Sequence, residues 1–306
     1  MRWEKKELIY CPHNEMEWKN QFAMLPTPIL LGKVLRIYLG ICDKNNVGRI
    51  GYVDVDPDNP SKILKVSNKP VLDIGMKGCF DDNGVVPVSV LKKGEKIYLY
   101  YIGFQLGVKV PYYMFCGLAI SDDGGESFQR YSKTPILDRC GEEVFARCGV
   151  NVLEDCGQYK MWYIGSYQEG WTISEGKEKP LYVMKYTEST DGIHWHNKSI
   201  QCMEFKNEDE HGFGRPYVWK EVDKYKMLYS IRTYSRGYYI GYAESEDGVH
   251  WERKDDEAGI ELSKSGWDSV NLSYPYLYKY RDKVYMFYNG NGCGKSGFGY
   301  AQLVEG

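Results

Sequence analysis

KMWYIG, at residues 160–165, is one of five copies of a short tyrosine-containing segment that decides the fold. The other copies are LRIYLG (35–40), YLYYIG (98–103), KMLYSI (226–231) and YMFYNG (285–290). Aligned on Tyr38, Tyr101, Tyr163, Tyr229 and Tyr288, the copies are spaced by 63, 62, 66 and 59 residues. A fixed period of this kind indicates a repeat architecture. Five periods of about 62 residues account for the 306 residues of the chain.

Each tyrosine segment lies between two further apolar segments. One precedes it, as in NGVVPVSVL (83–91), and one follows it, as in YVMKYTES (182–189) and IGYAES (240–245). Three of the following segments run into an Asp-Gly turn and then an aromatic residue, as from Ser189 to Trp195. Asp-Gly between apolar segments predicts a tight hairpin, because glycine readily takes a positive φ. Each repeat therefore predicts four antiparallel strands.

Four strands repeated five times predict an all-β chain, namely a five-bladed β-propeller of four-stranded antiparallel blades. We expect one domain that spans residues 1–306. The fifth repeat ends without a fourth strand, and Trp3 with its charged neighbours resembles the segment that begins at Trp251. We therefore expect an N-terminal strand within residues 1–10 to complete the last blade. The repeated tyrosines and tryptophans are expected to pack the sheets together.

Composition narrows the possible functions. Lys+Arg of 39 against Asp+Glu of 42 gives a net charge of −3, which argues against a nucleic-acid binder that relies on bulk positive charge. No apolar stretch approaches the roughly 18 residues of a membrane span, and the N-terminus has no apolar signal region. Nine cysteines without C-x-x-C spacing and five scattered histidines give no zinc pattern. We expect a cytoplasmic protein with no metal and no cofactor.

Candidate functional residues lie where the first strands of the repeats begin, since these strands converge on one axis in a propeller. The loops that join second and third strands add further candidates, among them Arg232. Carboxylates there are candidates for general acid and base chemistry: Asp82, Glu210 and Glu143. Arginine forks suit a carboxylate or phosphate, and aromatic faces suit a sugar. The candidate substrate-binding residues are Asp81, Arg147, His211, Arg215, Arg232, Trp267, Asp268 and Tyr274. Glu142, beside Glu143, is a further polar residue at the third strand start.

Over essentially its full length the chain resembles the five-bladed propeller glycosidases of glycoside hydrolase families 43, 32, 62 and 130. The nearest likeness is to uncharacterised glycosyl-hydrolase-like proteins found with polysaccharide-synthesis functions. The segments that carry the resemblance are FDDNGVVP, LAISDDGGESF, YTESTDGIHW, GRPYV, YAESEDGVHW, GWDSVNLSYP and YMFYNGNGCGKSGFGYA.

That resemblance implies a catalytic carboxylate on blade one and two more on later blades. The blade-one segment WKNQFAMLPTPIL has no acid, whereas Glu210 before GRPYV matches the general acid and Asp82 matches a second carboxylate. The resemblance thus favours an enzyme of the glycoside hydrolase or phosphorylase-like type, and the candidate arginines favour an anionic sugar, sugar phosphate or nucleotide-sugar as its substrate. The missing blade-one acid keeps open a non-catalytic binding protein of glycan biosynthesis, and a propeller that only binds proteins is a third alternative.

Overall fold

The computed structural model describes residues 1–141 and 143–305 and is nearly all β, which confirms the all-β part of the predicted fold class. A 3₁₀ turn covers Asp255–Ala258, and a short helix, α1, covers Asn291–Gly294. In the part of the chain that the structure describes, no helix is long and apolar enough to cross a membrane. The strands in chain order are β1 (Arg2–Tyr10), β2 (Gln21–Leu31), β3 (Val34–Cys42), β4 (Gly48–Asp56), β5 (Asn59–Val66), β6 (Val85–Lys93), β7 (Lys96–Leu106), β8 (Tyr112–Ser121), β9 (Gln129–Arg130), β10 (Ala146–Asp155), β11 (Gln158–Ser174), β12 (Lys177–Ser189), β13 (Ile200–Gln201), β14 (Glu210–Glu221), β15 (Lys224–Thr233), β16 (Gly237–Ser245), β17 (Glu252–Arg253), β18 (Ser273–Tyr280), β19 (Lys283–Asn289) and β20 (Phe298–Glu305).

The strands form five antiparallel groups of four. One group is β2-β3-β4-β5, and three more are β6 to β9, β10 to β13 and β14 to β17, which short parallel pairings join into one sheet. The last group has the order β1-β20-β19-β18. Here the N-terminal strand pairs with the C-terminal one, with Trp3 opposite Leu303 and Lys5 opposite Ala301.

The Asp-Gly turns end the third strand of their groups as the sequence indicates. Asp191 accepts hydrogen bonds from the backbone N–H groups of Ile193 and His194, both at 2.8 Å. Asp247 does the same for Val249 and His250. Gly192 and Gly248 have φ values of 76° and 80°, a conformation that favours glycine. These turns therefore direct the chain into the short fourth strands.

The five repeated tyrosines lie at the centres of the groups and are fully buried. Each phenol donates a hydrogen bond to an acceptor that lies outside the tyrosine's own strand. The acceptors are the Gly125 carbonyl for Tyr38, Asp81 for Tyr101, Glu143 for Tyr163, Asp255 for Tyr229 and Asp268 for Tyr288, at 2.6–3.0 Å. The tyrosine surplus is therefore structural, since a buried phenol needs a partner.

The first strands of the five groups contact one another in cyclic order. Strand β2 contacts β6, β6 contacts β10, β10 contacts β14, β14 contacts β18, and β18 contacts β2. The beginnings of these strands therefore surround a common space, and side chains from all five groups meet there.

Candidate functional site

A cavity of about 270 Å³ lies where the five first strands meet. Each first strand contributes to its wall, and second and third strands add aromatic and aliphatic side chains. The lining residues are Met24, Leu25, Val86, Ile102, Phe104, Tyr112, Met114, Cys148, Gly149, Ile164, Tyr182, Phe213, Gly214, Arg215, Arg232, Tyr238, Tyr274 and Cys293. Among the residues that the structure describes, the lining holds two arginines and no carboxylate. We call this space the central cavity.

Arg215 is a buried cation whose partners are all neutral. Its side chain is 1% exposed and donates to Thr27 Oγ1 at 3.1 Å and to the carbonyl oxygens of Tyr274 at 2.7 Å and Pro275 at 3.3 Å. Its Nε has no hydrogen-bond partner within the described chain. Burial lowers the pKa of Arg215 to about 9, with Tyr276 and Tyr274 opposing that shift, so the guanidinium stays charged at neutral pH.

Arg232 is the second cation of the central cavity. Its Nη1 donates to the Tyr182 hydroxyl at 2.9 Å, and that hydroxyl lies 3.1 Å from the Tyr238 hydroxyl. The guanidinium lies 5.8 Å from both ring centroids. A buried charge is costly unless an opposite charge or several hydrogen bonds compensate it. Two arginines in a carboxylate-free wall therefore make the central cavity suited to an anionic group.

Three of the predicted carboxylates instead lie inside their own strand groups. Asp81, Glu143 and Asp268 are each buried, and each accepts a hydrogen bond from the repeated tyrosine 20 residues later. Each also pairs with a cation: Asp81 with Arg130 at 2.7 Å, Glu143 with Arg147 at 2.8 Å and Lys185 at 3.0 Å, and Asp268 with Lys5 at 2.7 Å. We call these three arrangements the tyrosine-acid pairs.

Glu210 has a comparable environment in the fourth group. Its two carboxylate oxygens accept from Nη1 and Nη2 of Arg253 at 2.7 and 2.8 Å, and the Lys206 backbone N–H donates to Oε2 at 3.0 Å. Arg253 also pairs with Asp255, the acceptor of the Tyr229 phenol. Glu210 therefore forms a buried, fully engaged ion pair and does not line the central cavity.

Asp82 differs from the other predicted acids because it forms no ion pair within the described chain. It is half-buried, and one oxygen accepts from the Gly78 backbone N–H at 2.8 Å. Asp82 does not line the central cavity, but Asn83 and Gly84 exchange backbone hydrogen bonds with Phe104, which does. This acid therefore lies beside the cavity wall.

The remaining candidates are divided between the cavity and its surroundings. Arg215, Arg232 and Tyr274 line the central cavity, whereas Arg147 is held by Glu143 and by the Asp138 carbonyl. Trp267 stacks on Tyr288 at a centroid distance of 5.1 Å within the last group. Glu142 lies outside the residues that the structure describes.

His211 is buried and stacks on Tyr234 with ring centroids 4.0 Å apart. Neither ring nitrogen has a hydrogen-bond partner in the described chain. Burial, followed by the charge of Arg232, lowers the pKa of His211 to about 4. The imidazole is therefore neutral at physiological pH.

Sequence reasoning missed the phenols of Tyr112, Tyr182 and Tyr238, which line the central cavity from third strands. The predicted candidates lay at the beginnings of the first strands and in the loops between second and third strands, whereas these tyrosines lie within the third strands. A weak signal existed, since the segments YVMKY and GYYIGY place tyrosines in the third strands of the third and fourth groups. Their orientation depends on strand register, which the sequence does not specify.

Solved structures with the same fold are glycoside hydrolases. A glycosyl hydrolase from Bacteroides ovatus matches with a TM-score of 0.77 and 13% identity, covering 98% of this chain and 93% of that one. A structure from GH130 matches with a TM-score of 0.74 and 14% identity, covering 98% of this chain and 93% of that one. GH130 is a family of mannoside phosphorylases that contains glycoside hydrolases targeting β-1,2 mannosidic linkages in Candida mannan. A thermostable family-43 glycoside hydrolase matches with a TM-score of 0.69 and 15% identity, covering 96% of this chain and 91% of that one. The chain thus has a glycosidase-like fold.

Sequence similarity is higher to two proteins of Mycobacterium tuberculosis. "Uncharacterized protein Rv1502" of strain H37Rv is 35% identical over 304 residues, which is 99% of both chains. "Uncharacterized protein MT1551" of strain CDC 1551 shows the same identity and coverage. No protein-family model matches the chain. The chain belongs to the family of Rv1502.

Proposed function

We propose that the chain is a single five-bladed β-propeller domain over residues 1–306 whose central cavity recognises an anionic sugar, sugar phosphate or nucleotide-sugar. The cyclic contacts of the five first strands support the propeller, and the pairing of β1 with β20 supports its closure. The glycosidase-like fold supports a carbohydrate as the ligand, since such folds place their pockets on the axis. A cytoplasmic role in polysaccharide biosynthesis belongs to the same proposal and rests on the sequence.

One observation carries the proposal: Arg215 is a buried cation without an anionic partner in the wall of a cavity. The other buried lysines and arginines of the described chain are each matched by a carboxylate, namely Lys19 by Glu15, Arg36 by Asp54 and Arg147 by Glu143. A charge left unmatched in the protein is matched when a ligand supplies the anion. Arg232 adds a second cation in the same wall.

The rest of the wall supports a sugar as the carrier of the negative charge. Tyr112, Tyr182, Tyr238 and Tyr274 offer ring faces and hydroxyl groups, and Phe104 and Phe213 add apolar surface. Predominantly apolar walls with a few placed polar groups are typical of small-molecule sites. Pyranose rings present apolar C–H faces together with hydroxyl groups, so this wall is complementary to them.

Recognition fits this geometry better than carboxylate acid and base catalysis does. A glycosidase mechanism of that kind needs two carboxyl groups that flank one glycosidic bond. Among the described residues, no carboxylate lines the central cavity, and both Glu210 and Glu143 are engaged by cations. The non-catalytic alternative is therefore our first proposal.

The binding test uses isothermal titration calorimetry with glucuronic acid, glucose 1-phosphate and neutral glucose. We expect the two anions to bind and glucose to bind at least tenfold more weakly, since a charge-assisted hydrogen bond contributes about 1.5 to 3 kcal/mol. Arg215→Met and Arg232→Gln should each weaken the anions by roughly tenfold or more. Thermal melting of both variants checks the fold. Equal affinity for glucose and glucuronic acid would exclude an anion site.

Catalysis by Asp82 is the second candidate function. The observation that favours it is that Asp82 forms no ion pair within the described chain and directly precedes Asn83 and Gly84, which bond to the backbone of the cavity-lining Phe104. The test incubates the protein with acidic aryl glycosides, with and without inorganic phosphate, and follows release of the aryl group. Turnover that Asp82→Asn abolishes and Glu210→Gln leaves intact would support an Asp82-centred enzyme. No turnover with any acidic glycoside, in a protein that binds the same sugars, leaves recognition as the function.

A further inference from the structure

A groove of about 830 Å³ lies directly beside the central cavity, between the fourth and fifth strand groups. Tyr238 lines both spaces and is the wall that they share. Val270 and Leu272, which precede β18, also line the groove. The central cavity alone is slightly smaller than the roughly 300 to 1,000 Å³ typical of ligand pockets, whereas the two together lie well above that minimum. A ligand larger than a monosaccharide would reach the groove if it extended past Tyr238.

The groove contains Arg236, which lies in the turn between β15 and β16. Its side chain is exposed, and the guanidinium stacks at 3.7 Å from the ring centroid of Tyr239. Stacking on a tyrosine orients the guanidinium while its N–H groups remain open to a partner. Arg236 is therefore an oriented donor at the outer end of the same hairpin that carries Arg232.

The distribution of arginine partners singles out this hairpin. The sequence has eleven arginines. Seven form ion pairs with a carboxylate: Arg2, Arg36, Arg49, Arg130, Arg147, Arg253 and Arg281. Within the described part of the chain, the four without one are Arg139, Arg215, Arg232 and Arg236. Three of these four line the two adjacent spaces: Arg215 and Arg232 line the central cavity, and Arg236 lines the groove.

The groove also holds acids, and these limit what it can bind. Asp255 is neutralised by Arg253 and Lys206, whereas Asp256 and Glu261 are not paired within the described chain. A long polyanion would be repelled by these two acids. A ligand with one further anionic group, placed near Arg236, would avoid them.

We infer that the groove is a second subsite for the ligand of the central cavity, in which Arg236 binds a second anionic group. The inference rests on the proposed function and adds the ligand class: an acidic sugar extended by a second charged unit. Two sources share this chemistry. One is a nucleotide-sugar, whose diphosphate supplies the second charge, and the other is an acidic disaccharide.

The test compares ligands with one and two anionic units by isothermal titration calorimetry. Glucuronic acid is the one-unit probe, and UDP-glucuronic acid and digalacturonic acid are the two-unit probes. We expect Arg236→Gln to weaken at least one two-unit probe roughly tenfold, since it removes one charge-assisted contact. Glucuronic acid should bind the variant as it binds the original chain. The probe that loses affinity identifies the source of the second charge.

Arg139→Gln is the matched control. Arg139 also lacks a carboxylate partner in the described chain, is exposed and stacks on Phe115 at 4.5 Å, but it lines neither space. It should leave all three affinities unchanged. If Arg236→Gln and the original chain bound every probe with equal affinity, the inference would be overturned. Binding of glucuronic acid in that experiment would still support the proposed function. If no probe bound the original chain, the proposed function itself would fail.

Discussion

Arg147 and Arg215 are both buried, occur in equivalent first strands and have opposite electrostatic environments. Arg147 lies 2.8 Å from Glu143, and its neighbour Lys185 lies 3.0 Å from the same carboxylate. Arg215 has only a hydroxyl and two carbonyl oxygens as partners. A compensated cation is part of the scaffold, whereas an uncompensated one can accept an anion from outside. The comparison thus separates structural charges from candidate ligand-binding charges.

The same distinction applies to the tyrosine-acid pairs as a set. Asp81, Glu143 and Asp268 occupy the same position in their repeats, and each combines a tyrosine hydroxyl with a cation. Recurrence in three groups indicates a role in building each group, because a catalytic role would need only one such acid at one place. Substitutions of the acid, of the buried cation and of the phenol test this structural role.

Glu143→Ala should cause the largest loss of stability. It leaves Arg147 and Lys185 without their carboxylate in a buried site and removes the acceptor of the Tyr163 phenol. Breaking a buried pair by removing one partner costs about 3 to 5 kcal/mol. Urea unfolding measures the free energy of unfolding, with Asp82→Ala as the control at an unpaired acid. A loss below 1 kcal/mol would mean that Glu143 is not a scaffold charge.

Arg215→Met should affect stability much less and binding much more. The substitution removes a buried charge without stranding a carboxylate, and methionine fills much of the same volume. Replacing buried charges by apolar residues is often neutral or stabilising, so we expect a change within about 2 kcal/mol. Affinity for glucuronic acid should fall by roughly tenfold or more. Unfolding as severe as that of Glu143→Ala would place Arg215 among the scaffold charges.

Tyr288→Phe tests the contribution of a single hydroxyl to a tyrosine-acid pair. It removes the hydrogen bond of 3.0 Å to Asp268 but keeps the ring that stacks on Trp267 and the ion pair with Lys5. A typical hydrogen bond contributes about 1 kcal/mol, and we expect a loss of that size in urea unfolding. Tyr280→Phe, at a less buried position of the same group, is the control. A loss of several kcal/mol would show that the hydroxyl matters more than the ion pair.

The fold could be predicted because its signal repeats. Five tyrosine segments about 62 residues apart indicated the strands, and the likeness of Trp3 to Trp251 indicated that the N-terminal strand joins the last group. Local propensity and turn chemistry act over a few residues, so each repeat carries its own evidence. Errors in one copy are corrected by the other four.

The site was harder to predict because it depends on the direction of individual side chains. Arg215 and Tyr274 were named and line the central cavity, whereas Glu143 and Asp268 were named and point into their own strand groups. One signal was available, since an acid stands 20 residues before four of the five repeated tyrosines. In three of these repeats the acid accepts the hydrogen bond of the tyrosine, whereas Tyr229 uses Asp255 in place of Asp209. A position that repeats with the fold is expected to serve the fold. The sequence pattern does not specify the pairing of strands that brings the hydroxyl groups of Tyr182 and Tyr238 together.

His211 is another buried group whose side chain has no hydrogen-bond partner in the described chain, and its effect on stability depends on pH. Burial and the nearby Arg232 lower its pKa to about 4 from a usual 6.5; Lys179 opposes its charge too, whereas Asp209 favours it. As pH falls, His211 is therefore protonated in the unfolded chain at a higher pH than in the folded chain. Its contribution to stability is complete above pH 6.5 and is lost as pH falls toward 4. Glu244, with a pKa lowered to about 2, acts mainly below this window. Urea unfolding between pH 7.5 and 5 should show a declining free energy of unfolding that is flatter in His211→Gln and unchanged in His13→Gln, an exposed control. An identical slope in His211→Gln would mean that His211 is charged as easily in the folded as in the unfolded chain.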